Sequence, residues 1–143
     1  MELEIKYNNI LILELKNIAE YSKLKEYDKR YFEITADRFR LSRILYNLID
    51  NANKFTKFGI IKILVEMWED KVEFSVINTG KAIDKEIFPK LFNKFATKSF
   101  HGTGLGLYLC KNIVEAHGGK IWAKNNENEK GVTFSFNLPL IYQ

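Results

Sequence analysis

The stretch "HGTGLGLYLCKNIVEAHGG", residues 101–119, sets Gly102, Gly104 and Gly106 at alternate positions ahead of a helical pattern. Glycine costs a helix roughly 1 kcal/mol relative to alanine. Glycines at a helix doorstep, with only Thr103 as a short side chain before Leu105, constrain the chain to a turn whose backbone approaches something closely. A phosphate at the helix N-terminus is the natural candidate, because free N–H groups and the positive dipole end point there. The helix should run from about Leu105 to Ala116 and stop at "HGG", with Gly118 in the C′ position. A glycine-rich turn alone does not make a site, so its other parts must come from elsewhere in the chain.

The rest of the sequence bounds what those parts can be. A chain of 143 residues with 46% hydrophobic and 14% aromatic content is one compact domain with a real core, not a disordered polypeptide. Its formal charge of +4 is diffuse, with no Lys/Arg run reaching four. That balance suits an anionic small ligand or an acidic partner and argues against nucleic acid. The single cysteine, Cys110, excludes an intrachain disulfide and fits a reducing compartment. No apolar run approaches the eighteen or so residues of a membrane span, and no signal peptide is recognisable. These features point to a cytoplasmic chain, or to the cytoplasmic piece of a larger membrane protein.

Along the chain, "LEIKY" alternates like a strand. "ILILELKNIAEYSKLKEYDKR" opens either as a strand or as an amphipathic helix through Leu11, Leu15, Ile18 and Ser22. "YFEIT" reads as a short strand, and Asp37 is a good N-cap for a helix from about Arg38 to Phe55. Two strands follow, "IIKILVEMW" and "KVEFSVIN", joined by Glu69 and Asp70. The long segment "TGKAIDKEIFPKLFNKFATKSFHGTG" carries two short helical stretches around Pro89, and its length inside a compact domain marks it as functional. "KIWAKN" and "GVTFSFNLPL" close the chain as a hairpin around the polar loop "NENEKG". Hairpins with helices inserted between them predict an α+β two-layer sandwich rather than a doubly wound parallel sheet.

In "RILYNLIDNANKFTKFG" the helical positions sort into two sets. Leu41, Ile44, Leu45, Leu48, Ile49, Ala52 and Phe55 make one broad apolar face. Asn47, Asn51 and Lys54 form a narrow stripe along its edge. A solvated stripe is the plainer reading, but asparagine is a mediocre helix former where Glu, Lys or Gln would serve better. The chemical reading is a polar seam facing a ligand. The Asn51 amide oxygen suits Mg²⁺, which takes oxygen donors and keeps waters and phosphate oxygens, and Lys54 would neutralise phosphate charge.

"NLIDNANKFT", "NTGKAI", "IFPKLFNKF" and "GTGLGLYLCKNIVEAHGGKIWAKN", in this order and spacing, resemble the catalytic ATP-binding domain of sensor histidine kinases. That domain belongs to the GHKL superfamily with gyrase B, MutL and the heat-shock ninety chaperones. The resemblance covers about residues 36–140, and the final block is its most specific part. It implies a mixed, largely antiparallel sheet under a layer of helices, with ATP between the helices and a lid over residues 84–104. By the same resemblance Asn51 is the Mg²⁺ ligand, with Asn47 and Lys54 beside the phosphates. Asn78, Gly80, Ala82 and Ile83 fall on the first glycine box, which recognises adenine. Phe88, Phe92 and Phe95 match the aromatic box that frames the lid. Lys94 and Lys98 fit γ-phosphate contacts, although either is as readily a solvated lysine. Gly102, Thr103, Gly104, Leu105 and Gly106 line the phosphates. Thr133 matches a threonine that helps hold adenine, against the alternative of an ordinary strand threonine.

Where the ATP-hydrolysing relatives carry a glutamate that activates water, one turn before the metal asparagine, this chain has Asn47. An amide cannot accept a proton at neutral pH. A site that holds ATP without activating water suits transfer of the γ-phosphoryl group to a nucleophile brought from elsewhere. The first glycine box usually reads Asp-x-Gly-x-Gly, and here Asn78 and Ala82 depart from it. Loss of the carboxylate charge is worth about 1 kcal/mol, or several-fold in affinity. The departures imply weaker or altered nucleotide binding. His117 reads as a structural helix end and His101 as a lid residue, and neither has the context of a phosphoacceptor. The implied partner is therefore a histidine-bearing dimerisation domain, with a response regulator downstream. A nucleotide-binding regulatory module without transfer is the alternative, and a serine kinase of the anti-sigma-factor type is disfavoured by "IVEAHGGKIWAKN".

Overall fold

The computed structural model describes residues 37–57, 59–96, 104–127 and 130–139. The strand and helix readings for residues 1–36 lie outside them. Helix α1 spans Arg38–Phe55, opened by Asp37, whose side chain accepts from the Arg40 N–H at 3.1 Å. This is the expected N-cap, satisfying one of the free donors of the first turn. Strands β1 (Ile61–Met67) and β2 (Lys71–Asn78) follow, then a single 3₁₀ turn at Phe88–Lys90. Helix α2 (Gly106–Ala116), β3 (Lys120–Asn125) and β4 (Val132–Pro139) complete the described elements.

The strands form one sheet in the order β1-β2-β4-β3, antiparallel throughout. Strand alternation puts Ile63, Val72, Phe74, Val76, Phe134, Phe136 and Leu138 on one face. Phe74 and Phe136 are register partners and stack with ring centroids 4.9 Å apart. Against this face pack Ile44, Leu45, Leu48, Ile49 and Ala52 of α1 and Cys110 and Val114 of α2, giving two layers around one core. On the other face the buried hydroxyls of Ser75 and Ser135 pair at 2.8 Å, so neither is left unsatisfied.

The end of α2 shows why the chain needs "HGG" there. Gly118 has φ +77°, its N–H donates to the Glu115 carbonyl, and the Gly119 N–H reaches back to Val114. This paired arrangement satisfies the last carbonyls and requires a left-handed residue at C′. His117 joins the two helix ends: its Nε2 accepts from the Asp37 N–H at 3.2 Å while Nδ1 lies 2.7 Å from the Ile113 carbonyl. The acceptor role of Nε2 places the proton on Nδ1, which donates to Ile113.

Helix α2 starts at Gly106 with Leu105 as its N-cap, as expected, but two details differ from expectation. Around Pro89 one 3₁₀ turn forms where two short helical stretches were expected, since proline lacks the N–H needed to propagate a helix. Phe55, counted on the apolar face of α1, is the last residue of that helix and is 49% exposed.

Candidate functional site

The asparagine edge of α1 runs beside the first turns of α2. Asn47 is half-buried, and its Nδ2 donates to Cys110 Sγ at 3.6 Å, while that thiol faces the Ile44 carbonyl at 3.9 Å. A Cβ built on Gly106 would lie 3.8 Å from the Asn47 amide, so the side chain of one helix meets the open backbone of the other. Burial pushes the Cys110 thiol up to about 11, which keeps it a neutral packing group. Asn51, one turn further along α1, is also half-buried. Lys54 departs from the stripe: it is exposed and pairs with Asp50 at 3.0 Å.

A second cluster forms where β2 ends. Asn78 is buried, and its Oδ1 accepts from the Gly80 N–H at 3.1 Å, bending the chain in a local turn. The turn lies against the end of α1. The Lys81 N–H donates to the Phe55 carbonyl at 3.1 Å, and a Cβ on Gly80 would collide with that same carbonyl. Glycine is required there for backbone to touch backbone. The Asn78 carbonyl accepts from Asn126 Nδ2 at 2.8 Å, and Thr133 Oγ1 donates to Asn126 Oδ1 at 2.6 Å. Thr133 thus shares a network with Asn78 through a residue of the β3–β4 loop. Ala82 is half-buried, and Ile83 is held by the Asn125 amide. Among the described residues the Thr56 hydroxyl is the buried side-chain oxygen without a hydrogen-bond partner, and it lies 2.7 Å from where a Gly80 Cβ would sit.

The third group borders residues 97–103. Phe88 and Phe92 are half-buried, whereas Phe95 is 69% exposed with φ +59°. Its N–H donates to the Gly104 carbonyl at 2.9 Å. Gly104 has φ +68°, and a Cβ there would lie 2.5 Å from Phe95 Cα, so this close crossing needs glycine. Lys94 sits 5.1 Å over the Tyr108 ring. A hydrogen bond from Asn112, aided by the Lys94 charge, holds the Tyr108 phenol below its usual range. The Leu105 carbonyl accepts the Leu109 N–H at 2.9 Å, the first intrahelical bond of α2, so the N–H groups ahead of it have no partner within the helix. Lys98, His101, Gly102 and Thr103 lie outside the described residues.

The described sequence-predicted residues thus lie in three groups, with Lys54 turned to Asp50 instead. Asn47 and Gly106 meet between the helices, Gly104 crosses Phe95, and Asn78, Gly80, Ala82, Ile83 and Thr133 gather at the β2 end, while Asn51 lies one turn along α1 from Asn47. The family model for histidine kinase-, DNA gyrase B- and HSP90-like ATPases matches residues 36–141. The chain belongs to this family. Sensor protein KdpD of Clostridium acetobutylicum is 41% identical over 113 residues, covering 74% of this chain and 12% of that protein. The catalytic domain of histidine kinase ThkA superposes with a TM-score of 0.70 at 38% identity, covering 93% of this chain and 91% of that one. A crystal structure of ThkA in complex with response regulator protein TrrA matches at 38% identity and a TM-score of 0.66, covering 40% of that chain. This member of the ATPase family thus has the fold of a histidine kinase catalytic domain, and spans a small part of the curated sensor proteins it matches.

The residues fit the family's nucleotide. The unpartnered Thr56 hydroxyl is a buried polar atom that costs about 1–3 kcal/mol unless a water or ligand atom meets it. For a divalent ion the donor set is sparse: among the described residues no three His, Cys, Asp or Glu side chains cluster. One neutral amide oxygen at Asn51 suits a Mg²⁺ that arrives on phosphates and keeps its waters, not one held in a protein cage. Among the described residues no helix is long and apolar enough to cross a membrane.

Sequence reasoning missed Asn125 and Asn126, which bond Ile83 and Asn78 from the far hairpin. A usable signal existed, since asparagine is depleted in strands and two in succession at a strand end bring side-chain amides to bond backbone.

Proposed function

We propose that this chain is the ATP-binding catalytic module of a two-component sensor histidine kinase, which moves the γ-phosphoryl group of ATP to a histidine on a separate dimerisation domain. The observation that carries this reading is the approach of the Asn47 amide to the glycine-led start of α2. It brings the polar edge of one helix and the N-terminus of another to a single place, as a triphosphate requires.

In this reading the Asn51 amide oxygen ligates Mg²⁺, which when bound neutralises charge on the phosphate oxygens. Asn47 orients the phosphate chain and, lacking a basic atom, leaves water unactivated. Gly102, Thr103, Gly104, Leu105 and Gly106 offer backbone N–H groups to phosphate oxygens. Lys54 leaves Asp50 for a phosphate, an exchange made easy by the exposure of that ion pair. At the other end the Asn78 amide oxygen, already accepting from Gly80, uses its second lone pair for the adenine amino group, beside Thr133. Residues 84–104 act as the lid, framed by Phe88, Phe92 and Phe95, with Lys94 and Lys98 reaching the γ-phosphate.

The acceptor hairpin, a downstream response regulator and a cytoplasmic location complete the proposal, the regulator being supported by the complex of ThkA with its response regulator protein TrrA. Asn78 and Ala82, which weaken the adenine end, favour a second reading as a nucleotide-binding regulatory module without transfer. Calorimetry of the chain with a non-hydrolysable ATP analogue and Mg²⁺ tests the binding that both readings share. Binding should depend on Mg²⁺ in the native chain and lose that dependence in Asn51→Ala. No binding overturns both readings, and an unchanged Mg²⁺ dependence in the variant overturns the role of Asn51.

A further inference from the structure

The loop after β2 is pinned residue by residue. Its Thr79 N–H donates to the Ile60 carbonyl, its Gly80 N–H to Asn78 Oδ1 and its Lys81 N–H to the Phe55 carbonyl. Those anchors come from the N-terminal side: the lead into β1, the end of α1 and the loop itself. The far side is held by two consecutive asparagines. Asn125, the last residue of β3, accepts the Ile83 N–H on Oδ1 at 2.8 Å and donates Nδ2 to the Ile83 carbonyl at 3.1 Å. Asn126 donates Nδ2 to the Asn78 carbonyl at 2.8 Å and accepts from Thr133 on Oδ1 at 2.6 Å. The two side chains thus grip the first and last residues of the segment Asn78–Ile83.

We infer that Asn125 and Asn126 are positioning residues for adenine recognition, acting through Ile83 and Asn78 rather than by touching the base. The inference rests on the nucleotide reading given above. Its chemistry is specific to a side-chain amide, which offers one donor and one acceptor in a plane and so completes both hydrogen bonds of a single backbone residue. A carboxylate in place of Asn125 would set an oxygen against the Ile83 carbonyl oxygen, and alanine would leave both groups unmet. The backbone N–H and C=O of Ile83 are thereby fixed without a continuous strand in the segment that follows the substituted glycine-box position, Ala82. A box with a neutral Asn78 has no charge assistance for the adenine amino group, so its discrimination depends on a preset loop.

The test is calorimetric titration of the whole chain with Mg-ADP and, separately, Mg-GDP, in the native protein, Asn125→Ala, Asn125→Gln and Asn126→Ala, beside thermal melts of each without nucleotide. Asn125→Ala and Asn126→Ala should each weaken ADP binding about tenfold, the scale of one or two lost hydrogen bonds, and shrink the ADP-over-GDP preference. Asn125→Gln keeps both amide groups and should recover most of the ADP affinity. Equal ADP affinity in the native and alanine proteins overturns the inference. So does a loss shared equally by ADP and GDP and matched by lower melting temperature, which marks a merely structural role. Absence of ADP binding by the native protein overturns the nucleotide reading itself, and the inference with it.

Discussion

Gly80→Ala places one methyl group where the end of β2 crosses the end of α1. The new Cβ would meet Thr56 Oγ1 at 2.7 Å and the Phe55 carbonyl carbon at 2.8 Å, and would collide with the carbonyl oxygen. The hydroxyl can rotate away, but the carbonyl belongs to the helix end and already accepts the Lys81 N–H. The loop must therefore retreat by about 1 Å, a displacement that can cost on the order of a hundredfold at a functional site. Retreat breaks the Lys81–Phe55 bond and strains the Gly80–Asn78 turn, together about 2 kcal/mol in stability. For a chain of this size that is a fall of roughly 5–8 °C in melting temperature. Nucleotide affinity should drop more steeply, ten- to a hundredfold, as the Asn78 amide loses its aim.

Gly118→Ala provides the control. Gly118 also resists substitution, with φ +77°, but a Cβ there meets nothing nearer than Pro139 Cγ at 3.6 Å. Left-handed strain alone costs about 1–2 kcal/mol, so this variant should melt a few degrees lower and bind nucleotide as the native chain does. Circular-dichroism melts paired with calorimetry read both effects. Native-like nucleotide affinity in Gly80→Ala would refute the placement of the adenine end at this crossing.

Other consequences follow from the helix pair. Cys110 is buried with its thiol pushed up to about 11, so it should resist thiol reagents in the native state and react on unfolding. The unfolded thiol titrates near 9.0, so the stability gained from keeping it neutral is complete below that pH and is lost as pH rises towards 11. At pH 10.5 the native chain should have lost about 2 kcal/mol relative to Cys110→Ala, measured by urea melts, and parallel stability profiles would contradict this. His117→Ala removes the link between the start of α1 and the end of α2 and should destabilise by about 1–2 kcal/mol with nucleotide affinity intact. A loss of affinity without loss of stability would place His117 in the site instead.

How much of this was legible in the sequence depended on whether the signal was local. Asp37 as N-cap, Gly118 at C′ and the Glu69–Asp70 tip were readable because each is a requirement of the backbone within a few residues. The antiparallel hairpins were readable for the same reason. The partner of each site residue was not. Nothing in "RILYNLID" indicates that Asn47 faces Cys110, which lies 63 positions away, or that Lys54 pairs along its own helix with Asp50. Asn125 was read only as the end of the strand "KIWAKN" and Asn126 only as part of a polar loop, since their partners Ile83 and Asn78 lie more than forty positions away. The family resemblance supplied the roles of the glycine-box residues, and local physics could explain but not assign them. Phe55 fits the periodic pattern of the apolar face, but a periodic pattern carries no information about which of its residues are covered at the helix end.

The activity proposed for this chain is transfer of the ATP γ-phosphoryl group to a histidine. Incubation of the chain with Mg-ATP labelled at the γ-phosphate, beside a dimeric acceptor hairpin to which docking has been demonstrated, tests it most directly. Acid-labile, base-stable label should appear on the hairpin histidine and be lost in Asn51→Ala. Nucleotide binding and docking with no label on the hairpin would contradict it and leave a regulatory nucleotide-binding module in its place.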